Sequence, residues 1–490
     1  MQQLEHVRFP EEAGISSRGI LNYIAAREEA GLEHHAIWVM RHGKVAAKLA
    51  WAPYDDLTPH MLFSLSKSFC SAAAGFAVQE GLLTWDTKLI DVLPEAFPEE
   101  PSDWQKMITM HHLLTMGSGL KPESDGGKDG PDWARQVIAC GCDHEPGTHF
   151  AYNSMSTYLV SCMVQKVTGM TVRDYLIPRL FEPLGMMNAD GSAPSEVGQG
   201  PTSDSVCLQS PSEASGRPCA DRWPKGDSSP DGSSVGGWGR YLSCEQIAPF
   251  GQCLLQKGVW DGQQVLPREW LDRATTAQID NGNGEHAYDQ DWNMGYGYQF
   301  WMCKTDHEAG QTPRYRGDGM FSQFCIVDEK RDMVICCVSG VPDIGKALDL
   351  IYTHLISAAD MEPADAAVQA ELQQKLPTLN YPWPERDGTP LPVGVYAGED
   401  DGLTLTIKED CVTLPLDDSE TLQARPGQTM SVGNALTCCG MQDGTLHLLA
   451  RILNSPFTLN AACRFDGDKV KLTLGGVGPK AETRKLTKKD

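Results

Sequence analysis

A proline-rich segment near residue 380 divides this chain into two regions with different sequence periodicities. Residues 376–388 contain Pro377, Pro382 and Pro384 and end at Gly388, a composition typical of a linker. The chain has 490 residues, whereas single hydrophobic cores stop growing near ~250–300 residues. We therefore predict two domains, residues 1–375 and residues 376–490.

The second region predicts an all-β domain. Short apolar stretches alternate with turn residues such as Asp466-Gly467, which is the pattern of half-buried strands. The predicted strands are 403–407, 412–414, 445–450 and 469–474. We expect a β-barrel-like or sandwich domain that serves for packing or for assembly into a homo-oligomer.

The charge balance excludes some classes of partner. Lys and Arg number 41 against 65 Asp and Glu, which gives a formal charge of −24. Such a surface repels nucleic-acid phosphates and anionic lipid. The near-apolar run 69–78 is far shorter than the ~20 residues that span a bilayer. Residues 1–6 lack the basic start and apolar stretch of a secretory signal. We expect a cytoplasmic protein without a nucleic-acid or membrane partner.

The cysteine pattern does not predict a metal site. The chain has 16 cysteines, many in apolar surroundings where a thiol packs as a small apolar group. Cys140, Cys142, His144 and His149 form the best candidate cluster, but the sequence has no C-x-x-C with a second ligand pair. We expect no metal ion.

The first region predicts strands and helices in alternation. Residues 35–51 predict a β-hairpin in which Gly43 supplies the positive φ of the turn. An Ala-rich segment from Ser66 to Glu80 predicts a buried helix that ends at Gly81. Further predicted helices are 156–168, 172–181, 246–257 and 344–359, and predicted strands are 298–303, 321–327 and 333–339. Residues 191–237 predict a long loop that forms a wall or lid of a site.

Ser64 and Lys67 form an S-x-x-K motif at the start of the Ala-rich helix. Because positions i and i+3 share a helix face, Lys67 Nζ can reach Ser64 Oγ. The helix N-terminus favours the negative charge of a developing alkoxide. Ser118 and Lys121 repeat the motif, but glycines flank that copy and Pro122 follows it. We therefore place the nucleophile at Ser64.

Two further segments carry groups that suit nucleophilic catalysis. Residues 146–154 contain Tyr152, which could accept the serine proton if a nearby ammonium favours its phenolate, and could later return that proton to a leaving group. Residues 315–323 place two glycines before a strand, where an edge N–H could help to bind an oxyanion. Arg316 could hold a substrate carboxylate.

These three segments, in this order, resemble those of the serine β-lactamase and penicillin-binding-protein-like superfamily, in particular the class C β-lactamase and esterase branch. The resemblance covers roughly residues 8–360. Other stretches that share it are 10–15, 81–86, 108–120, 181–186 and 236–239.

The resemblance implies an α+β fold, in which an antiparallel sheet flanked by helices joins a helical subdomain, here about residues 85–235. It implies that Ser64 is the acylated nucleophile, Lys67 its activator and Tyr152 the general base and acid. The N–H groups of Ser64 and Asp318 would form the oxyanion hole. No metal or organic cofactor is implied.

Two departures from the family pattern concern substrate binding. The usual Tyr-x-Asn is Tyr152-Asn153-Ser154 here, so Ser154 would replace the amide that contacts substrate. The usual Lys-Thr-Gly is Tyr315, Arg316 and Gly317, which we count as substrate-binding residues. Loss of that lysine removes the usual partner of a β-lactam carboxylate, unless Arg316 substitutes.

The sequence therefore predicts a serine hydrolase that cleaves a small ester or amide through a Ser64 acyl-enzyme. The alternatives are a β-lactamase or D-amino-acid peptidase, and a non-catalytic binding or assembly member of the fold.

Overall fold

The computed structural model describes residues 4–121, 132–196, 233–282, 290–304, 314–398, 403–416, 421–477 and 482–489. Within these ranges the chain forms two compact units. The first contains residues 4–50, 55–196 and 233–379, and the second contains residues 51–54 and 380–489. The predicted boundary at residues 375 and 376 lies close to this division.

A seven-stranded sheet forms the centre of the first unit. Its order is β1-β3-β2-β11-β10-β9-β8, and all neighbouring strands are antiparallel except the short pair β1 and β3. The bounds are β1 Glu5–His6, β2 His34–Arg41, β3 Lys44–Ala50, β8 Trp301–Met302, β9 Arg314–Gly319, β10 Gln323–Asp328 and β11 Met333–Ser339. Two two-stranded ladders join β4 His60–Met61 to β5 Tyr241–Leu242, and β6 Val259–Trp260 to β7 Gln263–Gln264.

Helices pack around this sheet. They are α1 Ser17–Glu29, α2 Ser66–Gln79, α3 Leu89–Val92, α4 Asp103–Met107, α5 Met110–Leu114, α6 Trp133–Ala139, α7 Ser154–Thr168, α8 Val172–Leu176, α9 Glu182–Leu184, α10 Cys244–Leu255, α11 Arg268–Ala274, α12 Ile344–Leu350 and α13 Ala366–Lys375. The helices α3 to α9 lie within the predicted helical insert. None of the helices in the described ranges is both long and apolar enough to cross a membrane.

The hairpin predicted at residues 35–51 is confirmed. Strands β2 and β3 pair directly, and His42 and Gly43 turn the chain with φ values of 54° and 72°. Positive φ at both central residues is the type I′ geometry that matches the twist of antiparallel strands. The hairpin lies next to the short edge strand β1, while the β9–β10 hairpin, with the site residues, lies toward the opposite edge of the sheet.

The Ala-rich helix is also confirmed and is buried along most of its length. Residues 66–77 of α2 are all buried, and α2 packs against α7. The helices α8 and α12 end at Leu176 and Leu350, and π and 3₁₀ turns continue the predicted segments 172–181 and 344–359. Two other helices begin two residues earlier than predicted, at side-chain caps. Asn153 caps α7, so this helix begins at Ser154 rather than Ser156. Ser243 caps α10 through a capping box.

The second unit is all-β, as predicted. Ten antiparallel strands follow the order β15-β14-β13-β12-β21-β20-β19-β18-β17-β16 and nearly close into a barrel. Their bounds are β12 Gly394–Gly398, β13 Thr404–Ile407, β14 Val412–Pro415, β15 Thr421–Ala424, β16 Met430–Val432, β17 Ala435–Gln442, β18 Thr445–Ile452, β19 Thr458–Asp466, β20 Lys469–Gly475 and β21 Glu482–Lys488. Alternate residues of β20, Val470, Leu472 and Leu474, enter one apolar core, as the period-2 pattern predicts.

Candidate active site

Ser64 lies in a tight turn immediately before α2. The 3₁₀ turn Phe63–Leu65 runs directly into the helix, and Phe63 has a φ of 48°, which is unusual for a residue with an aromatic side chain. The neighbouring backbone is fixed because Leu62 N donates to Arg240 O at 2.9 Å. Strained backbone of this kind persists only where its surroundings hold it, and it is common at functional sites.

Lys67 joins the turn of Ser64 to the start of α7 and to the segment that contains Gly237. Its Nζ donates to Ser64 Oγ at 2.9 Å, as the i, i+3 spacing predicts, to Ser154 Oγ at 2.8 Å and to the Gly237 carbonyl oxygen at 2.8 Å. The side chain is buried, with 1% exposed. Three partners match the three protons of an ammonium group. Lys67 is therefore held at the serine with little freedom to leave it.

Tyr152 lies beside Lys67, just before α7. Its ring centroid is 5.0 Å from Lys67 Nζ and 5.3 Å from the ring of Trp301. The next residue, Asn153, accepts from Met155 N at 2.9 Å and donates through Nδ2 to Lys121 O at 2.9 Å. The N-cap of α7 thus fixes the backbone between Tyr152 and Ser154.

The strand β9 passes close to the turn that carries Ser64. A methyl group built on Gly319 would overlap the carbonyl oxygen of Leu62 and lie 3.1 Å from Leu65 N. A methyl group on Gly317 would lie 2.7 Å from Ser68 Oγ of α2. These two glycines are therefore required for close packing of the strand against the turn and helix. The sequence predicts that Gly317 binds substrate, whereas the structure packs it against α2.

Asp318 lies between these glycines. In β9 the backbone groups of every second residue face the neighbouring strand β8, and the Arg314 carbonyl accepts from Cys303 N at 2.9 Å. The backbone of Asp318 faces the same side, but β8 does not extend far enough to pair with it. Its carboxylate turns inward and accepts from Arg316 Nε at 2.9 Å. Burial raises the pKa of this carboxyl, and the Arg316 cation partly offsets that rise.

The structure does not place Arg316 where a substrate carboxylate could reach it. Its guanidinium has 0% of its surface exposed and forms ion pairs with Asp291 and Asp318. It also lies 4.8 Å from the ring centroid of Trp292. The expectation that Arg316 replaces the family lysine is therefore corrected: its charge is used inside the protein.

Tyr315 and Ser154 also differ from the predicted contacts with substrate. Tyr315 is fully buried, and burial raises the pKa of its hydroxyl well above 10. The structure therefore does not place its side chain in contact with substrate. Ser154 Oγ is used as a partner of Lys67 Nζ. Ser154 thus lies at the site, but its observed contact is with Lys67.

The remaining predicted features have different outcomes. The second S-x-x-K copy is not assembled, because Ser118 Oγ contacts Ser156 Oγ at 3.0 Å and Lys121 Nζ lies 4.0 Å from Asp143. In the part of the chain that the structure describes, no group of three or more His, Cys, Asp or Glu side chains is arranged to hold a metal ion. Of the predicted loop 191–237, residues 197–232 lie outside the described residues.

Sequence reasoning missed several groups that shape the site. Residues 236–239 contributed to the resemblance, but nothing in their sequence assigned the Gly237 carbonyl to Lys67. Asp291 and Trp301 carried no signal, since their partners are distant in sequence. Only the tertiary packing of the sheet brings Asp291 to Arg316 of β9 and Trp301 to Tyr152.

Comparison with known proteins shows the family to which the chain belongs. The family model described as Beta-lactamase matches residues 23–372. The chain belongs to the beta-lactamase family. Penicillin-binding protein 4 of Amycolatopsis lactamdurans is 28% identical over 253 residues, which cover 48% of this chain and 64% of that protein. The 6-aminohexanoate-dimer hydrolase of Paenarthrobacter ureafaciens is 21% identical over 329 residues, 63% of this chain and 73% of that protein.

The fold of the beta-lactamase family member described here also occurs among solved structures. The structure of SurE superposes with a TM-score of 0.52 at 17% identity and covers 98% of this chain and 100% of that chain. This likeness therefore extends over both units of the fold.

Proposed function

We propose that this beta-lactamase family member is a serine hydrolase that cleaves a small ester or amide through an acyl-enzyme on Ser64. The observation that carries the proposal is the contact of Lys67 Nζ with Ser64 Oγ at 2.9 Å, beside the ring of Tyr152. A serine oxygen is a weak nucleophile unless an adjacent group accepts its proton. Homologues of the chain include an esterase and an aminohexanoate-dimer hydrolase.

In the proposed reaction, Tyr152 starts as a phenolate that the Lys67 ammonium favours, and it accepts the proton of Ser64 Oγ while this oxygen attacks the carbonyl carbon of the substrate. The N–H groups of Ser64 and Asp318 stabilise the resulting oxyanion. As the bond to the leaving group breaks, Tyr152 returns the proton to it. Water then attacks the Ser64 ester, and its proton returns to Ser64 by the reverse path. Lys67 keeps a positive charge beside Ser64 Oγ and the ring of Tyr152.

The burial of Arg316 favours neutral substrates over a carboxylate-bearing β-lactam. The Arg316 guanidinium already forms ion pairs with Asp291 and Asp318, so it adds no binding energy for an anionic group of the substrate. We therefore rank a β-lactamase or D-amino-acid peptidase below an esterase or amide hydrolase, and a purely binding role last, because the Ser64–Lys67 contact has the form of a catalytic pair.

Steady-state hydrolysis tests this ranking. We expect kcat/KM for p-nitrophenyl acetate to exceed that for a penicillin, and we expect both activities to vanish in Ser64→Ala. Fast turnover of penicillin with slow turnover of neutral esters would favour the β-lactamase alternative. Hydrolysis that persists in Ser64→Ala would refute the proposed nucleophile.

A further inference from the structure

The ring of Tyr152 is stacked on an indole that the known motifs of the site do not include. The ring centroids of Tyr152 and Trp301 lie 5.3 Å apart at an interplanar angle of 21°. Lys67 Nζ lies 5.0 Å from the same tyrosine ring. The phenol ring of Tyr152 thus has Lys67 of α2 and Trp301 of β8 as neighbours, and the indole of Trp301 presents the larger contact surface.

The indole is itself confined by a buried aromatic cluster. The ring of Tyr296 lies 4.8 Å from Trp301 at 78°, and the ring of Phe150 lies 5.7 Å from it at 66°. Tyr296 also meets Tyr152 edge to face at 6.3 Å. Phe150, Tyr296 and Trp301 have at most 6% of their surfaces exposed. Such aromatic contacts favour fixed geometries, so Trp301 has one orientation to offer Tyr152.

Gln299 anchors the segment that carries Trp301 to the catalytic helices. Its carbonyl oxygen accepts from Ser68 Oγ of α2 at 2.9 Å, and its side chain binds Thr157 Oγ1 of α7 at 2.8 Å and Leu114 O of α5 at 2.8 Å. Gln299 is buried and has a φ of 67°. A non-glycine residue keeps such a backbone only where its contacts compensate the strain. The position of Trp301 is therefore set relative to both helices that carry site residues.

We propose that Trp301 is a positioning residue for Tyr152, and that it holds the phenol hydroxyl at the distance from Ser64 that proton transfer requires. The proposal rests on the proposed function, because it assumes that Tyr152 moves the serine proton. A proton passes efficiently only across a hydrogen bond, whose donor and acceptor lie about 2.6–3.2 Å apart. Rotation of the tyrosine about χ1 would move Oη away from Ser64, whereas rotation about χ2 leaves Oη on the rotation axis. The stacked indole opposes the χ1 displacement, because the phenol ring would have to leave the face of Trp301.

The proposal separates turnover from substrate binding. If Trp301 acts through Tyr152, its loss should lower kcat while leaving KM nearly unchanged. A flat aromatic replacement should restore much of the loss, because phenylalanine still offers a face for stacking. A branched aliphatic residue should not, because it offers no flat face that keeps the tyrosine ring in place.

The test compares Trp301→Leu, Trp301→Phe and the control Trp260→Leu, each also in a Tyr152→Phe background. Trp260 is equally buried and lies in the β6–β7 ladder, which carries no candidate site residue. For hydrolysis of p-nitrophenyl acetate we expect Trp301→Leu to lose about 10–100-fold in kcat, with KM changed less than about 3-fold. Trp301→Phe should lie within about 5-fold of wild type, and Trp260→Leu should keep wild-type kcat.

In the Tyr152→Phe background, Trp301→Leu should cause little further loss, because residues that act as a unit are not additive. An equal loss in both backgrounds would overturn the proposal, as would unchanged kcat in Trp301→Leu. If Trp301→Leu does not fold, failure of Trp301→Phe to retain a higher kcat than Trp301→Met would overturn it, because methionine fills space without a flat face. Full activity of Tyr152→Phe alone would instead refute the proposed function, so the two failures are distinguishable.

Discussion

Substitution of Gly319 by alanine tests whether the approach of β9 to the Ser64 turn is required for catalysis. Real Cβ atoms essentially never come within 3.0 Å of a non-bonded heavy atom, and a methyl group on Gly319 would enter that range at the Leu62 carbonyl oxygen. The obstructing atom belongs to the backbone, so no side chain can rotate away. The strand and the turn must separate by about 1 Å to accommodate an inserted methyl group.

That displacement acts directly on the candidate oxyanion hole. A misplacement of about 1 Å near the reacting groups costs roughly 100-fold in rate, or about 2.7 kcal/mol of transition-state stabilisation. We therefore expect Gly319→Ala to lower kcat/KM for p-nitrophenyl acetate by about two orders of magnitude. Overpacking of this kind costs about 1–3 kcal/mol of stability, so the variant should fold with a reduced melting temperature.

Two other glycines make this prediction specific. Gly475 lies in β20 of the second unit, where an added methyl group would meet no atom within 4 Å, so Gly475→Ala should behave as wild type. At Gly317 the nearest atoms belong to the side chains of Leu65 and Ser68, which can shift, so Gly317→Ala should lose less activity than Gly319→Ala. Wild-type kcat/KM in Gly319→Ala would refute the reasoning, as would an equal loss in Gly475→Ala.

Three further substitutions test other contacts. Ser154→Ala removes one acceptor from the Lys67 ammonium, and we expect kcat to fall about 10-fold or more in steady-state assays, since hydrogen bonds to charged groups contribute about 1.5–3 kcal/mol. Arg316→Met leaves two carboxylates without their buried partner and should cost about 3–5 kcal/mol in urea unfolding. By contrast Arg268→Met, in an exposed pair, should cost at most about 1 kcal/mol. Burial lowers the pKa of His34 from 6.5 to about 3. Between these two pKa values the unfolded chain binds a proton at His34 that the folded chain does not bind. The free energy of unfolding therefore keeps its full value above pH 6.5 and decreases as the pH falls toward 3. Between pH 7 and pH 5, wild type should lose about 2 kcal/mol more than His34→Gln.

Contacts that depend on local spacing could be predicted from the sequence. Ser64 and Lys67 are three residues apart at a helix start, so their contact follows from helix geometry alone. The hairpin turn at Gly43 and the alternation of β20 likewise follow from backbone conformation and from the period of a strand. The motif order and the resemblance then supplied the fold, which the family match confirms.

Contacts between distant segments could not be predicted in this way. The charge and length of Arg316 suit a substrate carboxylate, but its true partner Asp291 lies in a segment without a sequence pattern. Arg316 is buried, and its burial depends on the packing of the segment that contains Asp291 against β9. Neither can be inferred from local sequence spacing. The same holds for Trp301, whose partner Tyr152 is brought to it by the packing of β8. The helix α13 was missed because it buries only Leu372, so its sequence carries no apolar stripe at helical spacing.

The central claim is that Ser64 is the residue that becomes acylated. Intact-protein mass spectrometry after incubation with a fluorophosphonate tests it most directly, with Ser118→Ala as the matched control, since Ser118 begins the second S-x-x-K copy and is buried against Ser156. We predict a single adduct on wild type and on Ser118→Ala, and none on Ser64→Ala. An adduct of unchanged extent on Ser64→Ala, or its loss in Ser118→Ala alone, would contradict the account.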